Sequence, residues 1–568
     1  MRTRHALVAA AALGLLLRPA GAAAQGGLDL GGPRASPERP APGPAPGLAV
    51  APLDLGRTVD VGPRLAAAAK LARDGHLEEA ALADDAILRE PGLAGGHDDA
   101  RIALAQALLG MGLDASALTV VDQILELGPA RSRHVEEAMG LLFRIGERLG
   151  NEQVLLSRVA RLARYPVPAA DRGRFDVLLA TYQFERGRAL EEAGRAEEAR
   201  ASWLDARRLA ALVSPPAGET PRPGAQGRAA PEADAVPRAL FIDGLALYAL
   251  RDEAGADERF KEVVRLTAPG RGGVADPVLR EQAFLQLARI HYENRQNRFA
   301  IFYYSKMPWG GRSWLEGLWE SSWAHYRLGE HEKALGNLLT IQSAYFRDEY
   351  FPESWVLKAI IYYENCRYPE ARLVLQDFDA AYEPLYQQLV AISARPPGPV
   401  DVLALGATPR LQRLAATDPS VRRLLESAAQ VEAEATTGLG RRGRAFRASA
   451  LAASLRASLA RLRAQALAEA GLRARGKLEN ERDQLRAILA QALRIRIEVS
   501  RQEREALEGS LAAGMQVEVV RNLHWTHAVS DEQLYWPYEG EFWRDELGTY
   551  SYTLTRGCKG RPPRSSGR

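Results

Sequence analysis

The chain has 568 residues, too many for one compact hydrophobic core, so several domains or an elongated array are expected. Hydrophobic residues make up 46% and charged residues 26%. Ala, Leu, Arg and Glu dominate while long β-branched runs are nearly absent, which favours an all-α fold. The formal net charge of +3 equals the three arginines of the first 24 residues, so the remainder has no overall bias toward nucleic acid.

The first 24 residues predict an export signal. A basic start, "MRTRH", precedes 12 apolar residues, "ALVAAAALGLLL", and an Ala-x-Ala cleavage site ends at Ala24. The apolar run is short for a bilayer span. We expect cleavage near Ala24/Gln25 and a mature chain that is periplasmic or secreted, with no transmembrane span. Retention of this segment as an N-terminal anchor is the alternative.

Pro- and Gly-rich stretches divide the rest of the chain into helical blocks. A tether at 25–62 precedes an N-terminal block at 63–213, and a linker at 214–237 precedes a central block at 238–393. The break "ARPPGP" opens a connector at 394–420. Too few apolar residues occupy the tether and the linker for either to pack as a core.

One residue pattern recurs seven times in the two blocks. A small residue is followed by a large one three positions on, by Ala twelve positions on and, less strictly, by a large residue sixteen positions on. This spacing predicts helical hairpins in which the Ala lies where the second helix crosses the first closely. The predicted packing positions are Ala80, Ala117, Ala199, Ala256, Ala300, Ala334 and Ala371. The gap of 82 residues between the second and third of them leaves room for a degenerate hairpin.

The repeated unit resembles the tetratricopeptide repeat (TPR), whose signature is Trp-x2-Leu-Gly-x2-Tyr…Ala-x3-Phe. The last copy nearly spells this signature with Trp355, Ala359, Tyr362, Ala371 and Leu375. The resemblance covers roughly residues 65 to 386 and implies an α-solenoid of stacked hairpins that binds protein partners.

The resemblance also selects a candidate groove in the central block. In TPR-like registers the groove side of each first helix lies one and four residues after the small position. The selected residues are Arg289, Tyr292, Trp323, Tyr326, Ile360 and Tyr363, with Trp319 nearby. Two interpretations stay open, because these side chains suit either a protein-binding site or packing between helices.

Residues 421–513 differ from the repeats and predict a long helical hairpin or coiled-coil arm. Leu and Ala recur at three and four residues with Arg and Glu between them. Its first half is Arg-rich, which is compatible with a solvated face or with peripheral contact to anionic lipid or an acidic partner. The final segment, 514–568, has the densest aromatic content of the chain, and predicts either a tail folded back on the hairpins or a docking surface.

Motifs for catalysis, cofactors and metals are incomplete. "GLGRRG" at Gly438–Gly443 has the spacing of a phosphate-binding loop but follows a helical segment, not a strand, so a loop is the better interpretation. The nine histidines show no metal-ligand spacing. Cys366 falls in the turn of a repeat, where three interpretations stay open: a packing or turn residue, a disulfide with Cys558, and a reactive thiol. We predict no enzyme activity, no cofactor and no metal.

These observations favour a non-catalytic scaffold or adaptor that mediates protein–protein interactions in a bacterial cell-envelope (periplasmic) complex. The combination of export signal, TPR units and helical arm looks like periplasmic TPR proteins. The tail "YWPYEGEFWRDELGTY" is similar to that of exported TPR components of gliding-motility complexes. The alternative is a subunit of an envelope enzyme whose C-terminal region has a catalytic or substrate-binding role. Its roughly 50 residues are few for an independent catalytic core.

Overall fold

The computed structural model describes residues 60–213, 231–270, 275–512 and 542–554. Over these ranges the chain forms 20 α-helices and a few short 3₁₀ or π turns, and no strand occurs in them. The predicted all-α fold is confirmed. The predicted signal peptide, nearly all of the tether, and most of the aromatic C-terminal segment lie outside the described residues.

Sixteen of these helices form eight successive hairpins. The pairs are α1 (Gly62–Arg73) with α2 (Leu77–Arg89), α3 (His97–Gly110) with α4 (Asp114–Leu127), α5 (Val135–Leu149) with α6 (Gln153–Leu162), α7 (Arg172–Glu192) with α8 (Ala196–Ala211), α9 (Pro231–Ala249) with α10 (Glu253–Leu266), α11 (Pro277–Glu293) with α12 (Asn297–Tyr304), α13 (Trp314–Arg327) with α14 (His331–Ile341), and α15 (Pro352–Glu364) with α16 (Tyr368–Ser393). The predicted TPR-like solenoid is therefore confirmed, and α5 with α6 supplies the degenerate hairpin that the long gap allowed.

Each hairpin turns through one residue with a left-handed backbone. The residue after it donates its amide to the carbonyl five positions back, which satisfies a free carbonyl at the end of the first helix. The eight positions are Gly75, Gly112, Gly150, Gly194, Arg251, Arg295, Gly329 and Cys366. Glycine adopts this conformation without a steric penalty, whereas Cys366 at φ 60° does not.

The spacing within a hairpin follows from how its helices cross. At Gly187 on α7 an added Cβ would overlap the ring of Trp203 on α8, sixteen residues later. At Gly244 on α9 it would come 2.9 Å from the ring of Phe260 on α10, at the same spacing. All seven alanines of the twelve-residue position are 0% exposed. A small residue is needed wherever a large ring from the partner helix covers the backbone.

The last four helices follow the hairpins. They are α17 (Pro409–Ala416), α18 (Pro419–Ala433), α19 (Arg444–Arg447) and α20 (Ala450–Ala512), with a π turn at Glu434–Gly438. Most of residues 421–512 are thus helical, with a final helix of 63 residues. One boundary differs from the sequence expectation, because α9 begins at Pro231, inside the predicted linker. Proline is favourable in a first turn, where its missing amide proton would have no partner.

The described residues divide into two compact units. The N-terminal unit contains residues up to Phe175 together with Arg422–Ala470. The central unit contains Asp176–Val421 together with the described residues from Gly471 onward. Among the helices of the described ranges, none combines the length and the apolar character needed to span a bilayer.

Candidate functional site

The residues predicted to line a groove lie on three successive first helices of the central unit. Arg289 and Tyr292 belong to α11, Trp319, Trp323 and Tyr326 to α13, and Ile360 and Tyr363 to α15. Their exposure differs, because Trp319, Trp323 and Ile360 are buried at 8%, 3% and 4% while the other four are partly exposed.

An ion cluster joins two of these helices. Arg289 Nη2 lies 2.6 Å from Glu316 Oε1 and 2.6 Å from Glu320 Oε1 on α13, and Tyr304 Oη donates to Glu320 Oε2 at 2.9 Å. Burial opposes the charge of Arg289, but Glu320 and Glu316 outweigh burial and raise the pKa of Arg289 well above its ordinary value. The guanidinium is therefore fully charged and ties α11 to α13.

The aromatic residues of the same helices contact one another. The Trp319 and Trp323 rings are 5.9 Å apart, and the Trp323 and Tyr326 rings are 5.7 Å apart, both edge to face. The Arg327 guanidinium of α13 lies 3.7 Å from the centroid of the Tyr292 ring on α11. These contacts show that the aromatic rings pack against neighbouring side chains. Tyr326 is packed in this way and is also partly exposed to solvent.

The second half of α20 packs against the central unit through one apolar stripe. The stripe residues are 0–2% exposed and recur at three, four or seven positions. They are Leu478, Leu485, Ile488, Ala492, Ile495 and Val499. This half of the helix is thus not a free projecting arm, because its apolar face is covered.

Polar contacts fix the direction of α20 along the hairpins. Arg475 Nη2 donates to the Arg395 carbonyl at 2.7 Å, and Arg372 Nε lies 3.2 Å from Glu503 Oε2. Burial raises the pKa of Glu316, whereas Arg289 lowers it. The contacts of Arg475 and Glu503 place the second half of α20 along α16.

Two ionisable groups of α15 are withdrawn from water, Lys358 at 6% exposure and the half-buried Glu353. Burial raises the pKa of Glu353 to about 7, with Glu481 of α20 acting in the same direction. Burial lowers the pKa of Lys358 to about 8, and its Nζ donates to Gln342 Oε1 at 2.9 Å. Sequence reasoning did not identify either residue, because each lies in an otherwise apolar helix and only the fold buries it.

A second surface of the central unit carries residues 542–554, which we call the C-terminal strap. Trp309 Nε1 donates to the Leu547 carbonyl at 3.1 Å, and the Gly548 amide donates to Thr340 Oγ1 at 2.9 Å. Further along, the Tyr552 amide donates to the Glu332 carbonyl at 3.2 Å. For these residues the folded-back interpretation of the tail holds. Trp525 and Trp536 lie outside the described residues.

The strap also has internal turns and aromatic contacts. The Glu546 carbonyl accepts hydrogen bonds from the Thr549 amide and hydroxyl at 3.0 and 2.7 Å. The Phe542 and Tyr550 rings are 6.1 Å apart, and the Tyr552 ring lies 6.1 Å from that of Tyr362. The high aromatic content of this segment is visible in the sequence, but it does not show where on the hairpins the segment docks.

In the N-terminal unit, polar contacts join the C-terminal helices to the hairpins, beside buried apolar side chains such as Phe446 and Leu459. Glu434 accepts hydrogen bonds from the Ala115 and Ser116 amides, both at 2.7 Å, and from the Ser116 hydroxyl at 2.6 Å. Arg442 Nη2 donates to the Met111 carbonyl at 2.8 Å. This Arg of the predicted basic arm thus binds a hairpin turn.

The described ranges contain neither a cluster of possible metal ligands nor a free cysteine. Within 60–213, 231–270, 275–512 and 542–554, no three His, Cys, Asp or Glu side chains converge as metal ligands would. Cys366 is disulfide-bonded, and Cys558 lies outside the described residues. The thiol interpretation of Cys366 is therefore wrong, because a disulfide sulfur is no nucleophilic thiolate.

Comparisons with known proteins give only distant structural likenesses. No model of a protein family matches the chain, and no curated protein matches it. The solved structure of the apo form of RapI is 9% identical, with 71% of this chain and 98% of that chain covered, at a TM-score of 0.30. The P58(IPK) TPR domain is 13% identical, with 77% and 98% covered, at a TM-score of 0.17. At these values the likenesses carry no argument about function, and the eight hairpins themselves define the fold.

Proposed function

We propose that this protein is a non-catalytic TPR-like scaffold that binds protein partners in a bacterial cell-envelope complex. The observation that carries the proposal is the α11–α13–α15 face, where Arg289 pairs with Glu316 and Glu320, and Arg327 lies over Tyr292, between successive hairpins. Stacked hairpins bury a one-dimensional core and present such faces to partner segments. The basic and apolar N-terminal sequence supports export as the route to the envelope.

Tyr326 and Tyr363 are the residues of this face best placed to meet a partner. Both are partly exposed, and each lies beside another ring, His331 at 5.7 Å and Tyr368 at 5.8 Å respectively. Aromatic anchors with few rotatable bonds contribute much of the energy of protein interfaces. Arg289, Tyr292, Trp319, Trp323 and Ile360 would support these two anchors from beneath or beside them.

The proposal is tested by affinity capture from a detergent-solubilised envelope fraction followed by mass spectrometry. We expect the double change Tyr326→Ala and Tyr363→Ala to weaken capture of the principal partner at least about tenfold. The matched control is Phe299→Ala with Phe302→Ala, two rings that are 60% and 50% exposed on α12. Equal loss in both double variants, or no loss in the tyrosine variant, would argue against this face as the binding site.

Export has its own test. We expect N-terminal sequencing of the mature protein to begin near Gln25, and the protein to be recovered from the periplasmic or secreted fraction. Recovery of a chain that retains Met1 from the cytoplasm would contradict the envelope assignment, and would leave the binding face to be tested separately.

A further inference from the structure

The hairpins contact the C-terminal strap mainly through its main chain, as they would contact a bound peptide. Three groups of the hairpins contact its main chain, namely the Trp309 indole, the Thr340 hydroxyl and the Glu332 carbonyl. Glu332 Oε1 also accepts from the Leu554 amide at 3.3 Å. Main-chain contacts of this kind give a bound peptide much of its affinity, and its side chains then supply the specificity.

One side chain of the strap serves as its anchor. Leu547 is 2% exposed, whereas its neighbour Glu546 and the nearby Trp543 are exposed. The hydroxyl-bearing Thr340 is 0% exposed, and its Oγ1 accepts the Gly548 amide. A buried leucine next to a buried main-chain hydrogen bond is a specific site, because an unpaired amide there would be costly.

Two glycines fix the fit between the strap and the hairpins. Gly336 on α14 has no side chain, and an added Cβ would overlap the Tyr550 carbonyl of the strap. Gly548 has φ 89°, and an added Cβ would come 2.7 Å from Trp314 Cζ2. One glycine belongs to the surface and the other to the segment bound on it, so each side can be blocked separately.

We propose that Trp309, Trp314, Glu332, Gly336 and Thr340 form a peptide-binding site whose resident ligand is the C-terminal strap. A partner that uses the site must present a turned segment of the same chemistry, with a Leu-Gly pair and aromatic flanks, and must displace the strap. This site shares none of its five residues with the seven residues of the α11–α13–α15 face. It deepens the proposed scaffold function and rests on that function for its biological meaning.

The test uses full-length chains and a fluorescent peptide of the strap sequence, "FWRDELGTYSYTL". In the wild type the resident strap competes with the peptide, and a site that is free one-tenth of the time binds about tenfold more weakly than an empty one. All chains are assayed with a reductant that opens the disulfide of Cys366, so that Gly548→Ala releases the strap and keeps the site. We therefore expect this variant to bind the peptide at least about tenfold more tightly than the wild type.

The complementary variant blocks the site itself. Gly336→Ala, combined with Gly548→Ala, should abolish peptide binding, and a peptide carrying the Gly548→Ala change should not bind any variant. Gly509→Ala is the matched control, because an added Cβ there meets nothing within 4 Å in another helical position. Circular dichroism should show equal helix content in all variants, since alanine favours helix over glycine at position 336.

Hydrogen exchange reports the strap without any peptide. The amides of residues 548 and 552 should exchange slowly in the wild type and in Gly509→Ala, and fast in Gly336→Ala and Gly548→Ala. Slow exchange in Gly548→Ala, or fast exchange without tighter peptide binding, would overturn the proposal. None of these measurements uses a cellular partner, so failure here is distinguishable from failure of the scaffold function.

Discussion

Both units bury apolar side chains of their C-terminal helices, but the polar contacts beside them differ. In the N-terminal unit, Glu434 and Arg442 bind main-chain groups at a hairpin turn. In the central unit, ion pairs such as Arg372 with Glu503 and Arg496 with Asp379 join side chains of α16 and α20. A partly exposed ion pair contributes little because water screens it, whereas a carboxylate that binds buried amides leaves them unpaired when it is removed. The N-terminal unit therefore depends more on single polar side chains than the central unit does.

The largest expected effect comes from removing the polar contact at Glu434. Glu434→Ala leaves the Ala115 amide, the Ser116 amide and the Ser116 hydroxyl without their acceptor. Unsatisfied buried donors cost about 1–3 kcal/mol each, so with three of them we expect the N-terminal unit to lose at least about 3 kcal/mol in denaturant unfolding. Glu434→Gln should lose less, because it keeps one acceptor oxygen.

The control for this change is Glu426→Ala, which removes an exposed carboxylate from α18. Surface substitutions of this type usually change stability by less than about 0.5 kcal/mol. If Glu434→Ala were as mild as Glu426→Ala, the N-terminal unit would not depend on a few polar bonds, and the contrast between the units would disappear.

A smaller effect is expected when the close helix crossing of the central unit is overfilled. Ala371 on α16 is 0% exposed, and Ala371→Leu adds three carbons where α15 and α16 approach. Overpacking of this kind costs about 1–3 kcal/mol, measured as a lower denaturation midpoint. Ala380→Leu, at an exposed position of the same helix, is the control. Equal stability of the two variants would contradict the hairpin register.

The hairpins could be predicted from the sequence because their requirements are local. A small residue, an Ala twelve positions later and a turn glycine such as Gly329 act within some 35 residues, so the pattern is visible along the chain. Cys366 shows the limit of this approach. Its turn position followed from the pattern, but its disulfide did not, because a bond to a distant residue leaves no mark on local spacing.

The docking of α20 and of the strap could not be predicted for a related reason. The stripe with Leu485 and Val499 is an ordinary amphipathic pattern, which equally fits a free coiled-coil arm. Contacts such as that of Gly548 with Thr340 join residues 208 positions apart in the sequence. The strap makes these contacts with main-chain groups, which are the same in nearly every residue type and therefore leave no pattern in the sequence. Buried charges such as Glu353 likewise look ordinary until the fold surrounds them.

The smallest predicted effect concerns one position of the repeat, at which the two units have different residues. The sixteen-residue slot holds buried Leu375 in the central unit, but in α2 of the N-terminal unit it holds Asp84, which is 2% exposed. Burial raises the pKa of Asp84 from 3.8 to about 7, and its Oδ1 has no hydrogen-bond partner among the described residues. The folded state therefore holds this proton at pH values where the unfolded chain has lost it.

The sign of the pH dependence follows from this difference. Between about pH 4 and pH 7 the folded state binds more protons than the unfolded state, so stability falls as pH rises through this window and levels off above it. One pKa unit corresponds to about 1.4 kcal/mol, so we expect the wild type to lose on the order of 1–2 kcal/mol between pH 5 and pH 7 through this group. Asp84→Asn should remove that loss, and Asp85→Asn, at the neighbouring half-buried position, should leave it unchanged. The test is the denaturant midpoint of the three chains at the two pH values. Parallel pH curves for the wild type and Asp84→Asn would show that Asp84 is not buried as a neutral acid in this slot.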